Sequence, residues 1–385
     1  MKAGTVIVGA GPAGLAAAET AGGALLLDDN PAPGGQIWRG SKVAIPEGAQ
    51  VMCGTRVIAA SGRQLVAETP DAVIRIEFQK LILATGAREL FLPFPGWTLP
   101  TVMGAGGLQA MVKGGLPIEG KRVIVAGSGP LLLAVAAYLR SRGGKIVLIA
   151  EQSEQARRFA RTLAAYPGKL AQAAGLKLRL TGIRYLEGCW VLSADPHAVT
   201  LTQSGRAWTE SCDYLAVGYG LQPNTELAQL LGCQIENGFV KVDEFQQTTV
   251  TGIYCAGEPA GIGGVDLAVI EGRIAGCAHA NDARRFFAKR ARQQRFAAAL
   301  ETAFVLRREV TQLAGDDTVI CRCEDVPLGR IRQHANWREA KLQTRCGMGP
   351  CQGRICGPAL QHILGWKNDS VREPLFPARV ASLME

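Results

Sequence analysis

The side chains best equipped for chemistry lie near the C-terminus. Cys321, Cys323, Cys346, Cys351 and Cys356 put five thiols into 36 residues of a 385-residue chain. They stand as one C-x-C pair and then as two successive C-x4-C spacings in TRCGMGPCQGRICGP (344–358). Four thiolates suit zinc or an iron–sulfur cluster. Zinc sites favour pairs spaced C-x2–4-C, and a C-x-C pair is uncommon in them, so the pattern favours iron–sulfur over zinc. Arg322, Arg345 and Arg354 sit within the cysteine loops. Their charge would stabilise a reduced, negatively charged cluster and raise its potential, although surface solvation explains any one of them as well. Spacing alone does not choose between Cys346 and Cys356 as the fourth ligand.

A second kind of chemistry begins at the N-terminus. GAGPAG (Gly9 to Gly14) follows an apolar strand, TVIVGAG, and opens an Ala-rich helix. In such a loop Gly9 permits the tight turn, Gly11 lets the backbone approach a pyrophosphate, and Gly14 lets helix and strand pack closely. The helix N-terminus adds free N–H groups for phosphate. Asp28 follows the next strand, ALLL, and is the favoured acceptor for a ribose hydroxyl, with Asp29 as the neighbouring alternative. A second loop, GSGPLL, keeps Gly127 and Gly129 but carries Leu132 in the third glycine position, which should hold its helix farther from its strand. Glu151 could accept from a ribose there. This loop is expected either to bind a second nucleotide, NAD(P) or ATP, or to be a retained fold with an altered site.

These residues need elements to position them. Strand–helix–strand repeats with apolar strands imply parallel α/β sheets. The predicted fold class is therefore α/β: a Rossmann-like dinucleotide-binding domain with a second Rossmann-like domain inserted, followed by a small, mostly helical cysteine domain. The bounds drawn are 1–115 and 241–280 for the first domain, 116–240 for the second, 281–315 for a helical connection and 316–385 for the cysteine domain. LILATGARE (81–89) and IYCAGEPAG (253–261) are read as strands ending at Thr85-Gly86 and Gly257-Glu258.

Composition excludes several classes. Hydrophobic residues make up 48% and charged residues 19%. The 47 glycines exceed the usual ~7% share and point to tight turns and close backbone approaches. Apolar runs are too short to span a bilayer, which takes ~20 residues. The opening MKAGTVIVGAGPAG is read as a nucleotide loop and not a leader, so the chain is expected in the cytoplasm, where clustered cysteines imply metal and not disulfides. The net charge of +9 gathers in ARRFFAKRARQQR (283–295), which lacks any aromatic platform for bases and is read as a solvated helix or subunit contact, with no nucleic-acid partner. Cys53, Cys189, Cys212, Cys233, Cys255 and Cys277 show no redox pairing and read as small apolar residues. His197, His279, His334 and His362 are scattered, none beside a plausible acid, so no catalytic residue is assigned.

The motifs together resemble a known group. GAGPAG, ATGARE and the late Gly-Glu turn resemble the FAD domain of glutathione-reductase-like flavoproteins. CRCEDV with TRCGMGPCQGRICGP resembles the bacterioferritin-associated-ferredoxin-like [2Fe-2S] domain. DDNPAPGGQIWRG (28–40) and FPGWTLPTVMGAGGLQAMVKGG (94–115) are similar to the large (α) subunits of the opine oxidase, hydrogen cyanide synthase and D-hydroxyproline dehydrogenase family. The resemblance implies FAD held by Gly9, Gly11, Pro12, Ala13, Gly14, Asp28, Asp29, Gly35, Gln36, Thr85, Gly86, Gly257 and Glu258. Glu258 stands where Asp is usual, and its longer side chain must still reach. The resemblance also implies a [2Fe-2S] cluster on Cys321, Cys323, Cys351 and Cys356, with Cys346 at an often apolar position. It implies an amino-acid or amine dehydrogenase whose substrate is oxidised in a partner β subunit of D-amino-acid-oxidase type, with a small ferredoxin-like γ subunit as a further partner. Two other readings stay open: a self-contained NAD(P)H-dependent reductase of a carrier protein, and a non-catalytic regulatory or scaffold subunit.

Overall fold

The computed structural model describes residues 1–367 and 371–383. The chain forms two compact units. One comprises Met1–Arg88, Leu221–Ala298 and the C-terminal residues 371–383; the other comprises Glu89–Gly220 and 299–367.

The first unit is built on a seven-stranded sheet. β1 (Lys2–Val8), β2 (Ala24–Leu27) and β3 (Ala49–Met52) run parallel on one side of β6 (Val73–Leu83). β6 is long enough to serve two neighbours on its other edge. Its first half pairs antiparallel with β5 (Gln64–Glu68), which continues to β4 (Arg56–Ser61). Its last residues, Leu81–Leu83, pair parallel with the strand Ile253–Cys255. β2, the last residues of β1 and β6, and Ile253–Cys255 are apolar and largely buried, as strands covered on both faces must be.

α1 (Pro12–Ala21) packs against the helix Val265–Gly276 almost backbone to backbone. A Cβ on Gly272 would lie 2.1 Å from the Ala13 carbonyl oxygen, and one on Gly276 would lie 2.2 Å from that of Ala17. Two glycines one helical turn apart thus let the two helices meet and seat the start of α1 at the glycine loop.

The second unit holds a five-stranded parallel sheet in the order Arg184–Glu187, Lys145–Glu151, Arg122–Gly127, Tyr214–Gly218, Val102–Gly104. A three-stranded antiparallel sheet, Cys189–Asp195, Ala198–Gln203 and Arg206–Ser211, shares its core through Val191, Val199 and Leu201. The cysteine segment adds a smaller core around Ile320, Leu328, Ile331, Trp337 and Leu360. Trp97 ties this core to the rest of the unit by donating Nε1–H to the Val319 carbonyl at 2.6 Å.

This is the expected architecture of two Rossmann-like units with a small, mostly helical cysteine segment. The unit bounds differ from those drawn on motifs. Val102–Gly104 and the helix Ala105–Lys113 belong to the second unit, because that strand adds to the edge of Tyr214–Gly218. Leu227, Ala228, Cys233 and Val240 join the core of the first. So does Leu375, which places 371–383 with the first unit and not with the cysteines. No helix among the described residues is long and apolar enough to cross a membrane.

Candidate functional site

The first glycine loop is held from several sides. Gly9 has φ +104°, and a Cβ there would lie 2.2 Å from the Ala84 carbonyl oxygen, so the turn and its neighbour both demand glycine. A Cβ on Gly14 would fall 1.8 Å from the Gly9 carbonyl oxygen. Gly11 differs: its nearest protein atom would be Gly35 Cα at 3.8 Å, so no protein contact requires its lack of a side chain. That surface is left for a ligand. The stretch 28–40 folds back over the loop, with Gly34 N–H donating to Ala10 O at 2.8 Å and Gly35 lying beside Gly11. Pro12 and Ala13 open α1, and Gln36 is exposed beside them.

Asp28 is positioned for a different task from the one expected. It is 5% exposed. Its Oδ2 accepts from Ala10 N–H at 2.6 Å, and its Oδ1 accepts from the Asn30 N–H and side-chain amide at 2.8 Å each. The carboxylate therefore braces the phosphate loop from within, and the exposed acid at this corner is Asp29. Sequence spacing does not separate these neighbours, because which one turns inward depends on where the strand ends.

The other two turns converge on the same unit. Thr85 Oγ1 donates to Asn224 O at 2.7 Å, and the Asn224 amide donates back to Thr85 O at 2.8 Å. Asn224 also accepts from Arg88 at 2.7 Å. Gly86 and Gly257 both have positive φ. Gly257 N–H donates to Glu271 Oε2 at 3.0 Å. Glu258 accepts from Gly264 N–H through Oε1, and its buried Oε2 has no hydrogen-bond partner among the described residues. Burial pushes Glu258 up to about 7 and Glu271 up to about 8. A buried carboxyl oxygen without a partner is costly unless a ligand hydroxyl meets it. With the open face of Gly11, it fits these residues to the ribityl and pyrophosphate chain of FAD. Glu271 was missed by sequence reasoning; an acid inside an otherwise apolar helix, VDLAVIEGRIAG, is the signal that marks it.

The five clustered cysteines gather in the second unit. Cys321 ends the strand Val319–Cys321, and Cys356 opens the helix Cys356–Leu364. Cys346 follows the left-handed turn at Arg345 that ends the helix Trp337–Thr344. The sulfurs of Cys321, Cys346 and Cys356 lie within 4.8 Å of one another, all buried. Cys346 and Cys356 both hydrogen-bond to Cys321, which holds its thiol down to about 2 and pushes theirs up. Gly347 N–H adds a donor to Cys321 Sγ at 3.4 Å. Cys323, exposed, and Cys351, half-buried, interact with each other through side chain and backbone. Gly349 is required here, since its Cβ would lie 2.3 Å from Cys323 Cβ. The group of three buried sulfurs, Cys321, Cys346 and Cys356, is a donor set suited to a soft metal or an iron–sulfur cluster, and Cys323 and Cys351 lie outside that group. Of the four expected ligands the structure groups Cys321 and Cys356, with Cys346 as the third member in place of Cys323 or Cys351, a choice that spacing left open.

The three arginines each have an anchoring partner. Arg345 pairs with Glu324 at 2.8 Å, Arg322 donates to Thr98 O at 3.1 Å, and Arg354 donates to Cys351 O at 3.4 Å. Arg345 and Glu324 neutralise each other, so a raised potential does not follow from Arg345. One histidine also departs from expectation: His334 Nδ1 lies 3.6 Å from Glu339 Oε1. Glu339 reaches back to Ala335 N–H while Asn336 accepts from Glu339 N–H, so this acid belongs to a helix cap. Cys189, Cys212, Cys233 and Cys255 are buried with raised pKa, as inert core thiols are.

Residues 4–283 match the family described as pyridine nucleotide-disulphide oxidoreductase. This chain belongs to that family. Membership makes it an oxidoreductase of a flavoprotein type and implies FAD. It is 32% identical to the hydrogen cyanide synthase protein HcnB of Pseudomonas aeruginosa, itself named as a subunit, over 95% of this chain and 92% of that protein. It is 30% identical to an opine oxidase subunit of Rhizobium meliloti, over 99% of this chain and 98% of that one. The fold is similar to L-proline dehydrogenase from P. horikoshii, with a TM-score of 0.68 at 19% identity, covering 100% of this chain and 79% of the other. Within the family, this chain thus groups with HcnB and the opine oxidase protein, as its motifs suggested.

Proposed function

We propose that this chain is the FAD- and [2Fe-2S]-binding α subunit of a heteromeric dehydrogenase acting on the C–N bond of an amino acid or amine. The observation that carries this reading is the alignment, along nearly the whole chain, with HcnB and the opine oxidase protein, and the buried thiols Cys321, Cys346 and Cys356 support a metal centre in the same segment. Both names describe subunits, which supports a companion chain. We take that companion to be a β subunit of D-amino-acid-oxidase type, joined by a small ferredoxin-like γ subunit. The substrates to test are 4-hydroxy-D-proline, then opines, then glycine. Cytoplasmic residence fits the eleven free cysteines.

Gly11, Gly35, Gln36, Thr85, Gly86, Gly257 and Glu258 would hold FAD, with Asp29 toward its ribose and Asp28 bracing the loop. Cys321, Cys323, Cys351 and Cys356 would hold the cluster. When bound, these groups supply a two-electron acceptor and a one-electron outlet. The protein's part is to fix them: α1 directs its N-terminal N–H groups at phosphate, and Glu258 offers a buried oxygen to a hydroxyl. Glu271 keeps the Gly257 turn in place.

The test is to isolate the chain with its companion under anaerobic conditions, assay flavin and iron, and add each substrate. Bleaching of the flavin by one amino acid, only in the complex, is expected. An iron-free chain, or a complex that none of the three substrates bleaches, overturns the proposal.

A further inference from the structure

The family name implies a pyridine nucleotide, and the second glycine loop is where one would sit. In open parallel sheets, ligands bind in the crevice beyond the carboxyl ends of the strands. Here that crevice lies beyond Arg122–Gly127 and Lys145–Glu151, and Ser128, Gln152 and Ser153 in it already have partners. Ser128 Oγ donates to Phe304 O at 3.3 Å, and Ser153 Oγ donates to Ala303 O at 2.6 Å. Gln152, fully buried, donates from Nε2 to Val305 O at 3.0 Å and accepts from Arg307 N–H at 2.9 Å through Oε1. Arg307 then pairs with Glu154 at 2.8 Å and stacks on Trp190 at 4.6 Å. Phe304 lies over Gly129, about where a side chain there would touch it, and packs edge-on against Phe159.

Glu151, the expected ribose acceptor, is 0% exposed. Its oxygens accept from Gly129 N–H at 2.7 Å and Ser153 N–H at 2.8 Å. The carboxyl faces the loop, not the crevice, and burial pushes it up to about 7. What stays open beside residues 303–307 is a polar groove of about 310 Å³, at the lower limit of the ~300–1,000 Å³ typical of small-molecule sites. A dinucleotide does not fit these residues as they stand.

We propose that the second Rossmann-like unit takes no nicotinamide dinucleotide: residues 303–307 of the same chain are the resident occupant of its crevice, and they fasten the cysteine segment to it. Main-chain carbonyls there take the hydrogen bonds that ribose and phosphate would take. Residue 308 onward leads directly into the cysteine segment, with Val310 1% exposed in the core of the same unit. The nucleotide-binding fold is reused as a mount. The proposal stands apart from the amine-dehydrogenase reading, since it concerns only this crevice.

The test is hydrogen–deuterium exchange on the full-length, flavin-loaded chain, followed at peptides spanning 300–310, with and without 1 mM NADH or NADPH. We expect protection that neither dinucleotide changes, and no saturable binding of either by equilibrium dialysis. The double variant Gln152→Ala/Ser153→Ala should raise exchange at 303–307 by roughly tenfold or more while iron content stays unchanged. If that variant does not fold, Ser128→Ala serves, with a smaller rise. Binding of NADH or NADPH that exposes 303–307, or equal exchange in variant and parent, overturns the proposal. Failure of every amine substrate leaves these outcomes untouched.

Discussion

Cys346 and Cys356 pose the sharpest question about single residues. Both sit against Cys321, yet the resemblance assigns only Cys356 to the cluster. Cys356→Ala should therefore lose most of the bound iron and the visible absorption of the cluster, whereas Cys346→Ala should keep both. Iron analysis and absorption spectra on the two purified variants decide it, and the reverse pattern would move the ligand set to Cys346. Glu271 makes a pH prediction. Its carboxyl is held at about 8 in the folded chain against 4.5 unfolded, chiefly by burial, with Glu258 adding to the rise and Arg290 opposing it. The folded state therefore keeps a proton that the unfolded state has lost. This contribution to stability is complete below about pH 4.5 and drains away as pH rises toward 8. Glu258 and Glu151 act in the same sense up to about 7. The melting temperature should fall between pH 5 and 8, and Glu271→Gln should flatten the upper part of that fall. Identical slopes in variant and parent would show that Glu271 is ionised in the fold.

At the scale of elements, the packing of α1 on Val265–Gly276 and the C-terminal segment 371–383, a strap on the first unit, matter most. Gly272→Ala would drive a methyl group against the Ala13 carbonyl, 2.1 Å away. The helices must then part, and α1 shifts at its phosphate-facing end. Weaker flavin retention on gel filtration, with a lower melting temperature, is expected. The strap covers β4, an edge strand that would otherwise present unpaired backbone. Leu375 N–H donates to Ile58 O at 2.7 Å, and Glu373 accepts from Ala60 N–H at 3.0 Å. Arg379 and Ser382 hold Glu68 on β5. Leu375→Ala should cost about 2–5 kcal/mol in chemical denaturation, because its side chain is 4% exposed in the core. A cost under about 1 kcal/mol would show that the strap is not part of that core.

At the scale of the whole molecule, the chain has one phosphate loop with a face open to a ligand and a second filled by the chain itself. In the proposed role, this chain relays electrons from a reaction on its companion. Turnover with the cognate amino acid should therefore need both chains, and mixing separately purified subunits should restore it. Full activity of this chain alone would contradict that division of labour.

The sequence by itself determined the α/β class, both glycine loops, the strands before them and the five-thiol segment. These rest on local periods and fixed spacings, which short stretches carry complete. Glycine at 14 is dictated by a contact with Gly9, and glycine at 9 by its turn, to which only the fold adds the pressure of Ala84. Tertiary structure decided the rest. Asp28 and Asp29 are neighbours in sequence, but only the end of β2 turns one inward and leaves the other exposed. Nothing local in GSGPLL indicates that residues 303–307, some 175 positions later, lie over it. Gly272 and Gly276 acquire their meaning only against Ala13 and Ala17. Long-range contacts of this kind depend on how separate elements pack, and packing reads the whole chain at once.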